Sequence, residues 1–188
     1  MDASTQSTLS IRVPSGTFDF DETVMYEMAV IGRVCTQMSA YEYSCDDFIF
    51  AVVKHQPRFI KDHRLLPAFN NDERRRAFVI KALSDLPLLE NLHDKKGKVD
   101  VTTIERMMKM VWSHRLNLTH GRLTGSRRRN LAIELHFLKW SKAGDEKGTY
   151  KHGLLTYEQP LLEEILDRVS YLRSMLAEAK RLVLGDFG

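Results

Sequence analysis

The sequence predicts an all-α fold: a helical bundle of four or five helices with one small β-hairpin inserted before the last helix. Three observations carry this expectation. Apolar residues recur at helical spacing in several long segments, and polar stretches holding proline or glycine separate them. Only residues 131 to 156 alternate in the manner of strands. At 188 residues and 43% hydrophobic the chain can bury one substantial core. The expected organisation is a flexible N-terminal tail over residues 1–20 and a single helical domain over residues 21–185.

The first helix is expected from about Asp21 to Lys54. Val24, Met28, Ile31, Cys35, Met38, Cys45, Ile49 and Val53 fall on one face at 100° per residue. "HQPRFIKDHRLLPAFNN" holds two prolines and reads as a connection, with a short helical turn around Phe59 to Leu66. A second helix starts near Asp72, capped by Asn70 or Asn71, and stops before Pro87. The arginines at 74 to 76 read as its solvated face. "LHDKKGKVD" is a polar break. Val101, Ile104, Met108, Val111 and Trp112 then mark a third helix running to about His120, with Gly121 as a left-handed C-terminal cap.

"RLTGSRRRN" reads as a basic loop. "LAIELHFLKW" and "TYKHGLLT" read as the two strands of the hairpin, joined through "SKAGDEKG". The last helix opens at "TYEQP", where Thr156 and Gln159 have capping-box spacing and Pro160 sits in a first turn with no hydrogen bond to lose. Leu162, Ile165, Leu166, Val169, Leu172 and Leu176 form its apolar stripe.

Composition narrows the function classes. The first 17 residues hold no apolar run of signal-peptide length, and no segment approaches the roughly 18 apolar residues of a membrane span. A soluble, cytoplasmic protein with no membrane partner is expected. Cys35 and Cys45 share one predicted helix about 15 Å apart, beyond disulfide reach. The net charge is only +3, yet Arg106 to Ile133 holds seven basic residues and no acidic one. Such an excess is the footprint of a phosphate-binding surface. If the hairpin turns about Gly144, His136 and His152 lie directly opposite, but nothing completes a metal site around them; no metal or cofactor is expected.

Two charges sit where core residues belong. Arg115 lies amid the stripe of the third helix, between Ile104 and Met108 in angle, and Glu42 returns to the stripe of the first helix. A desolvated charge must be paired, sit at a cleft mouth or face a partner. An Arg115–Glu42 ion pair, or snorkelling of the arginine head from the helix end, answers that need without any function. A cluster of Arg115, His120 and flanking arginines at a helix terminus also suits a phosphodiester and proton transfer near neutral pH.

"HRLNLTHG", with arginine near the end of a helix and histidine five positions later, resembles the ribonuclease motif of the HEPN superfamily of helical-bundle proteins. "IGRVCTQMSAYEYSCDDFIFAVV" resembles that family's opening helix and "LLTYEQPLLEEILDRVSYLRSML" its closing one. The resemblance implies a homodimer whose motif helices face each other across one composite cleft. It also implies metal-independent endoribonuclease activity: Arg115 holds the scissile phosphate, and His120 moves protons as the RNA 2′-hydroxyl attacks the adjacent phosphorus. Such chemistry requires RNA, since DNA lacks the attacking hydroxyl.

Glu42 and Asn117 are expected to support the pair, and Arg122, Arg127, Arg128 and Arg129 to contact RNA. A regulatory protein partner is compatible with this reading. The family commonly has a polar residue directly after the arginine, whereas here Leu116 stands there and the asparagine follows one step later. The alternatives are a non-catalytic helical dimerisation or interaction module, and a DNA-binding protein with the hairpin as a wing.

Overall fold

The computed structural model describes residues 20–65, 71–90, 92–94, 97–129, 132–142 and 150–185. The tail expected over residues 1–20 lies outside them but for its last residue, as do Asn70, Gly144 and the loop around it. The chain is mostly helical, with two small antiparallel sheets among the described residues.

Helix α1 spans Phe20–His55 and α5 spans Gln159–Leu184. They form the main packing unit, burying Val34, Met38, Phe48 and Val52 on α1 and Ile165, Val169, Leu172 and Leu176 on α5. The buried stripe of α1 is rotated from the expected one. Met28 is 58% exposed, while Val34, Tyr41 and Phe48 point inward. Apolar residues encircle more than one side of this helix, and the largest ones, facing α5, select the core side.

Helix α2, Pro57–Asp62, is the short turn expected in the connection, and it buries Phe59. Helix α3, Asp72–Asp85, begins as expected at Asn71, whose side chain accepts from Arg74 N at 2.9 Å. It ends at Leu86, held extended (φ −75°, ψ 115°) by the proline that follows. Arg75, expected on a solvated face, is instead drawn inward: its Nε donates to Asp46 Oδ1 at 2.7 Å, and it also pairs with Asp72. A 3-10 turn over Pro87–Leu89 leads to a ribbon of β1, His93–Asp94, and β2, Gly97–Lys98, where only a polar break was expected. Gly97, at φ +121°, adopts a backbone that an L side chain rarely accepts.

Helix α4, Val101–His120, starts where Asp100 accepts from Thr102 N at 3.0 Å. A three-stranded antiparallel sheet follows in the order β3 (Arg122–Arg129), β4 (Ala132–Lys142), β5 (Tyr150–Glu158). The stretch expected to be a basic loop is thus its edge strand: "RLTGSRRR" lacks the apolar alternation of a strand, but pairing with β4 satisfies its backbone. The register pairs His136 with Thr156 and Trp140 with His152, four residues away from the expected opposition of the two histidines.

Strand β5 runs directly into α5, so Thr156 is a strand residue and the expected capping box does not form. The N-cap is Glu158, without a side-chain cap bond, and Gln159 donates to Glu163 Oε1 at 2.8 Å instead. Pro160 occupies the first turn as expected.

Contacts fix the helix directions. Arg173 meets Gln37 and Lys180 meets Asp47, so α5 runs parallel to α1. Tyr157, just before α5, meets His114, and Arg168 meets Met110, so α4 runs antiparallel to both. The sheet therefore sits at the end of the bundle where α4 stops and α1 begins. Its inner face, Ile133, Leu135, Phe137 and Tyr157, is buried, and Ser126 of β3 donates to the buried Glu27 of α1.

Candidate functional site

Arg115 lies in the last two turns of α4 and reaches across to α1. Its Nη2 donates to Glu42 Oε2 at 3.0 Å, and its Nε lies 2.5 Å from Oε1. The second contact is an ion-pair approach, not an aligned hydrogen bond, which leaves the buried Oε1 without a proper donor. The guanidinium carbon sits 5.2 Å from the centre of the Trp112 ring, a cation–π distance. The two side chains retain 28% and 18% exposure, so the pair lies at a partly open corner.

Burial pushes the Glu42 carboxyl above its ordinary range, and Arg115 pulls the other way without cancelling it. On the same side, the Cys35 thiol is raised by burial and partly restored by the charge of Arg115.

His120, the last residue of α4, is exposed. Five residues along an ideal helix separate it from Arg115 by about 140° in angle and about 7.5 Å in rise. The helix therefore turns Arg115 toward α1 and leaves His120 facing solvent.

Gly121 follows with φ −73° and ψ 143°, not the left-handed cap expected. Its need for glycine is one of space. A Cβ there would come within 2.2 Å of the Asn117 carbonyl oxygen and 3.3 Å of Phe137. The chain drops from α4 into β3 through this narrow point, which sets where His120 and Arg122 project.

Asn117 is buried on a different side of α4, about 160° from Arg115. It belongs to a cluster with His114 and Tyr157, in which His114 Nδ1 lies 3.1 Å from the Tyr157 hydroxyl. The Asn117 amide lowers the Tyr157 titration against the stronger upward effect of burial, as a donor to the phenolic oxygen does. The Tyr157 hydroxyl and His114 Nδ1 are within hydrogen-bond distance, with the direction of the bond set by the tautomer of the ring. Desolvation first, and the nearby charge of Arg168 second, hold the His114 pKa below its ordinary value, with Glu164 opposing. Asn117 Oδ1 is buried without a partner. This trio was invisible in the sequence, because Tyr157 lies 43 residues from His114 and only the fold joins them.

Arg122 and Arg127 project from β3 into solvent. Arg128 and Arg129 belong to the same strand, with side chains outside the described part of the structure. Arg122 and Arg127 make the described part of this sheet edge basic. His136 contacts Glu134 at 3.3 Å and Thr156 at 3.4 Å, and among the described residues no three His, Cys, Asp or Glu side chains converge to hold a metal ion. No helix among them is long and apolar enough to cross a membrane. No family model, no curated protein and no solved structure matches the chain.

Proposed function

We propose that the protein is a metal-independent endoribonuclease of HEPN type, with Arg115 and His120 as its catalytic pair in a cleft formed by two copies of the chain. The observation that supports this most is the combination at the end of α4. Arg115 is held in place by Glu42 and Trp112 yet keeps solvent access, and the exposed His120 leads directly into a strand bearing four arginines. A guanidinium fixed in advance suits a phosphate whose charge grows during reaction, because no reorganisation is needed at that moment.

In the reaction, the RNA 2′-oxygen bonds to phosphorus and the 5′-oxygen leaves, giving a 2′,3′-cyclic phosphate and a 5′-hydroxyl. His120 takes the 2′-hydroxyl proton or supplies the proton that the leaving oxygen needs. Pairing two copies about a two-fold axis places a second Arg115 and His120 in the same cleft. It thereby removes the requirement that one helix turn both side chains the same way.

A second reading has its own observation. The Glu42 contacts account for Arg115 without any substrate, as expected of a non-catalytic interaction module. The two are separated by incubating purified protein with single-stranded RNA in EDTA, alongside Arg115→Ala and His120→Ala variants. Cleavage by the wild type that falls by a factor of about 10² to 10⁴ in either variant supports the enzyme. Cleavage that both substitutions leave intact removes this site from consideration, and cleavage by none of the three favours the module.

A further inference from the structure

About 100° around α1 from Glu42, the surface between α1 and α5 opens into a groove of about 610 Å³. Tyr43 and Asp47 line one side of it, Arg173, Lys180 and Arg181 the other. Residues 43, 47, 50 and 54 form one outward stripe of α1, carrying Tyr43, Asp47, Phe50 and Lys54. Tyr43 is 72% exposed and Phe50 61%, so neither ring serves the core. They stand about 10 Å apart along the helix axis, far enough for each to take its own planar partner.

Two of the cations beside them face carboxylates and one does not. Lys180 Nζ lies 2.6 Å from Asp47 Oδ2, and Arg181 pairs with Glu178 at 2.8 Å. Arg173 donates through Nη1 to the neutral Gln37 at 2.7 Å, while its Nε is buried without an acceptor. The hydrogen-bond partner of Arg173 is thus neutral, and its charge is left for an anionic oxygen at the outer end of the guanidinium. Tyr43 on one wall, Phe50 about two turns further along the same stripe, and Arg173 and Lys180 on the other wall match a chain of alternating planar bases and phosphates. A second copy suits the groove less well, since a two-fold contact through this face sets the excess of cations against itself.

We propose that the α1–α5 groove, continued along the outward stripe of α1, is a track for single-stranded RNA, in which Tyr43 in the groove and Phe50 beyond it stack bases while Arg173 and Lys180 hold phosphates. The inference rests on the RNA reading above and extends it to a surface separate from Arg115 and His120.

The test is fluorescence anisotropy of the full-length protein with a labelled single-stranded 2′-O-methyl RNA, whose blocked 2′-hydroxyl prevents cleavage. Exchanging both exposed rings, Tyr43→Ala with Phe50→Ala, is expected to weaken binding at least tenfold. Arg173→Gln with Lys180→Gln is expected to reduce the slope of log affinity against log salt by about 1.4, the share of two phosphate contacts. Circular dichroism checks that each variant folds; the ring variant alters exposed residues only and stands as the test even if the cation variant does not. Wild-type binding that the ring variant leaves unchanged overturns the track while the RNA reading stands. Absence of any wild-type binding overturns both. A dimer, measured by light scattering, that the ring variant loses while RNA affinity is unchanged assigns this face to a second copy and overturns the track.

Discussion

The two sides of α4 near its end handle polar groups in opposite ways, although Arg115 and His114 are neighbours in sequence. Arg115 turns to a partly open corner, where it stays charged against Glu42 and Trp112. His114 turns to the junction with β5, where burial holds it neutral against Tyr157. Intrinsic basicity decides the difference, and burial sharpens it. An arginine stays protonated and needs a countercharge, whereas a half-buried imidazole, whose ordinary pKa lies near about 6.5, gives up its charge and keeps one hydrogen bond. The charged side ties α4 to α1 through the ion pair, and the neutral side holds the helix on the sheet.

Breaking the charged side gives the largest expected effect on stability. Arg115→Met strands the Glu42 carboxylate and is expected to cost about 2 kcal/mol, less than for a fully buried pair because the corner is partly open. Adding Glu42→Leu should recover most of that loss in urea unfolding. A double variant as unstable as the single one shows that the pair's charges are not what the corner depends on.

Gly121→Ala comes next. Its Cβ cannot fit 2.2 Å from the Asn117 carbonyl oxygen without moving backbone, and about 1 to 2 kcal/mol of stability should be lost. An unchanged thermal midpoint would mean that the α4–β3 junction yields freely.

On the neutral side, Tyr157→Phe removes the hydroxyl that His114 and Asn117 share, at an expected cost of about 1 to 2 kcal/mol. His114 also sets a pH dependence. Its folded pKa lies below the unfolded value of about 6.5, so the unfolded chain takes up the proton first. The stability contributed by the neutral ring is complete above about pH 6.5 and is lost as pH falls through the lower folded value. His114→Gln should flatten the melting temperature between about pH 5 and 7.

Glu42 acts with the opposite sign. Its raised folded pKa contributes stability that is present at acid pH and lost as pH rises through that value. The smallest effect is expected for the exposed His120→Ala, within about 0.5 kcal/mol. A larger loss would show that His120 has a structural role and weaken any reading of its kinetic effect.

The helices were legible because their signals are local. Asn71 before Asp72, the run from Val101 to His120 and Pro160 in a first turn each act within a few residues, and each appears where expected. The stripe of α1 was legible in part: Met38, Cys45 and Ile49 are buried as expected, whereas Met28 is exposed and Val34 and Tyr41 face inward, since all are apolar and only packing separates them. Strand β3 was read as a loop for the same reason: its arginines carry no pairing signal, and β4 supplies the partner. At the candidate site, the odd placement of Arg115 and Glu42 on apolar stripes correctly suggested their pairing. The role of Asn117 was hidden, because an amide one step past Leu116 reads the same whether it faces a phosphate or a tyrosine on another element.

The sequence by itself determined the helices, the Asn71 cap, the basic stretch after α4 and the need to compensate Arg115, because periodicity, a local cap and the cost of an isolated charge depend on near neighbours. Only the tertiary structure decided that α1 and α5 run parallel, that "RLTGSRRR" becomes a sheet edge, and that His114, Asn117 and Tyr157 meet. Those outcomes depend on register and packing between residues dozens of positions apart, where many pairings satisfy the local pattern and only the assembled core selects one.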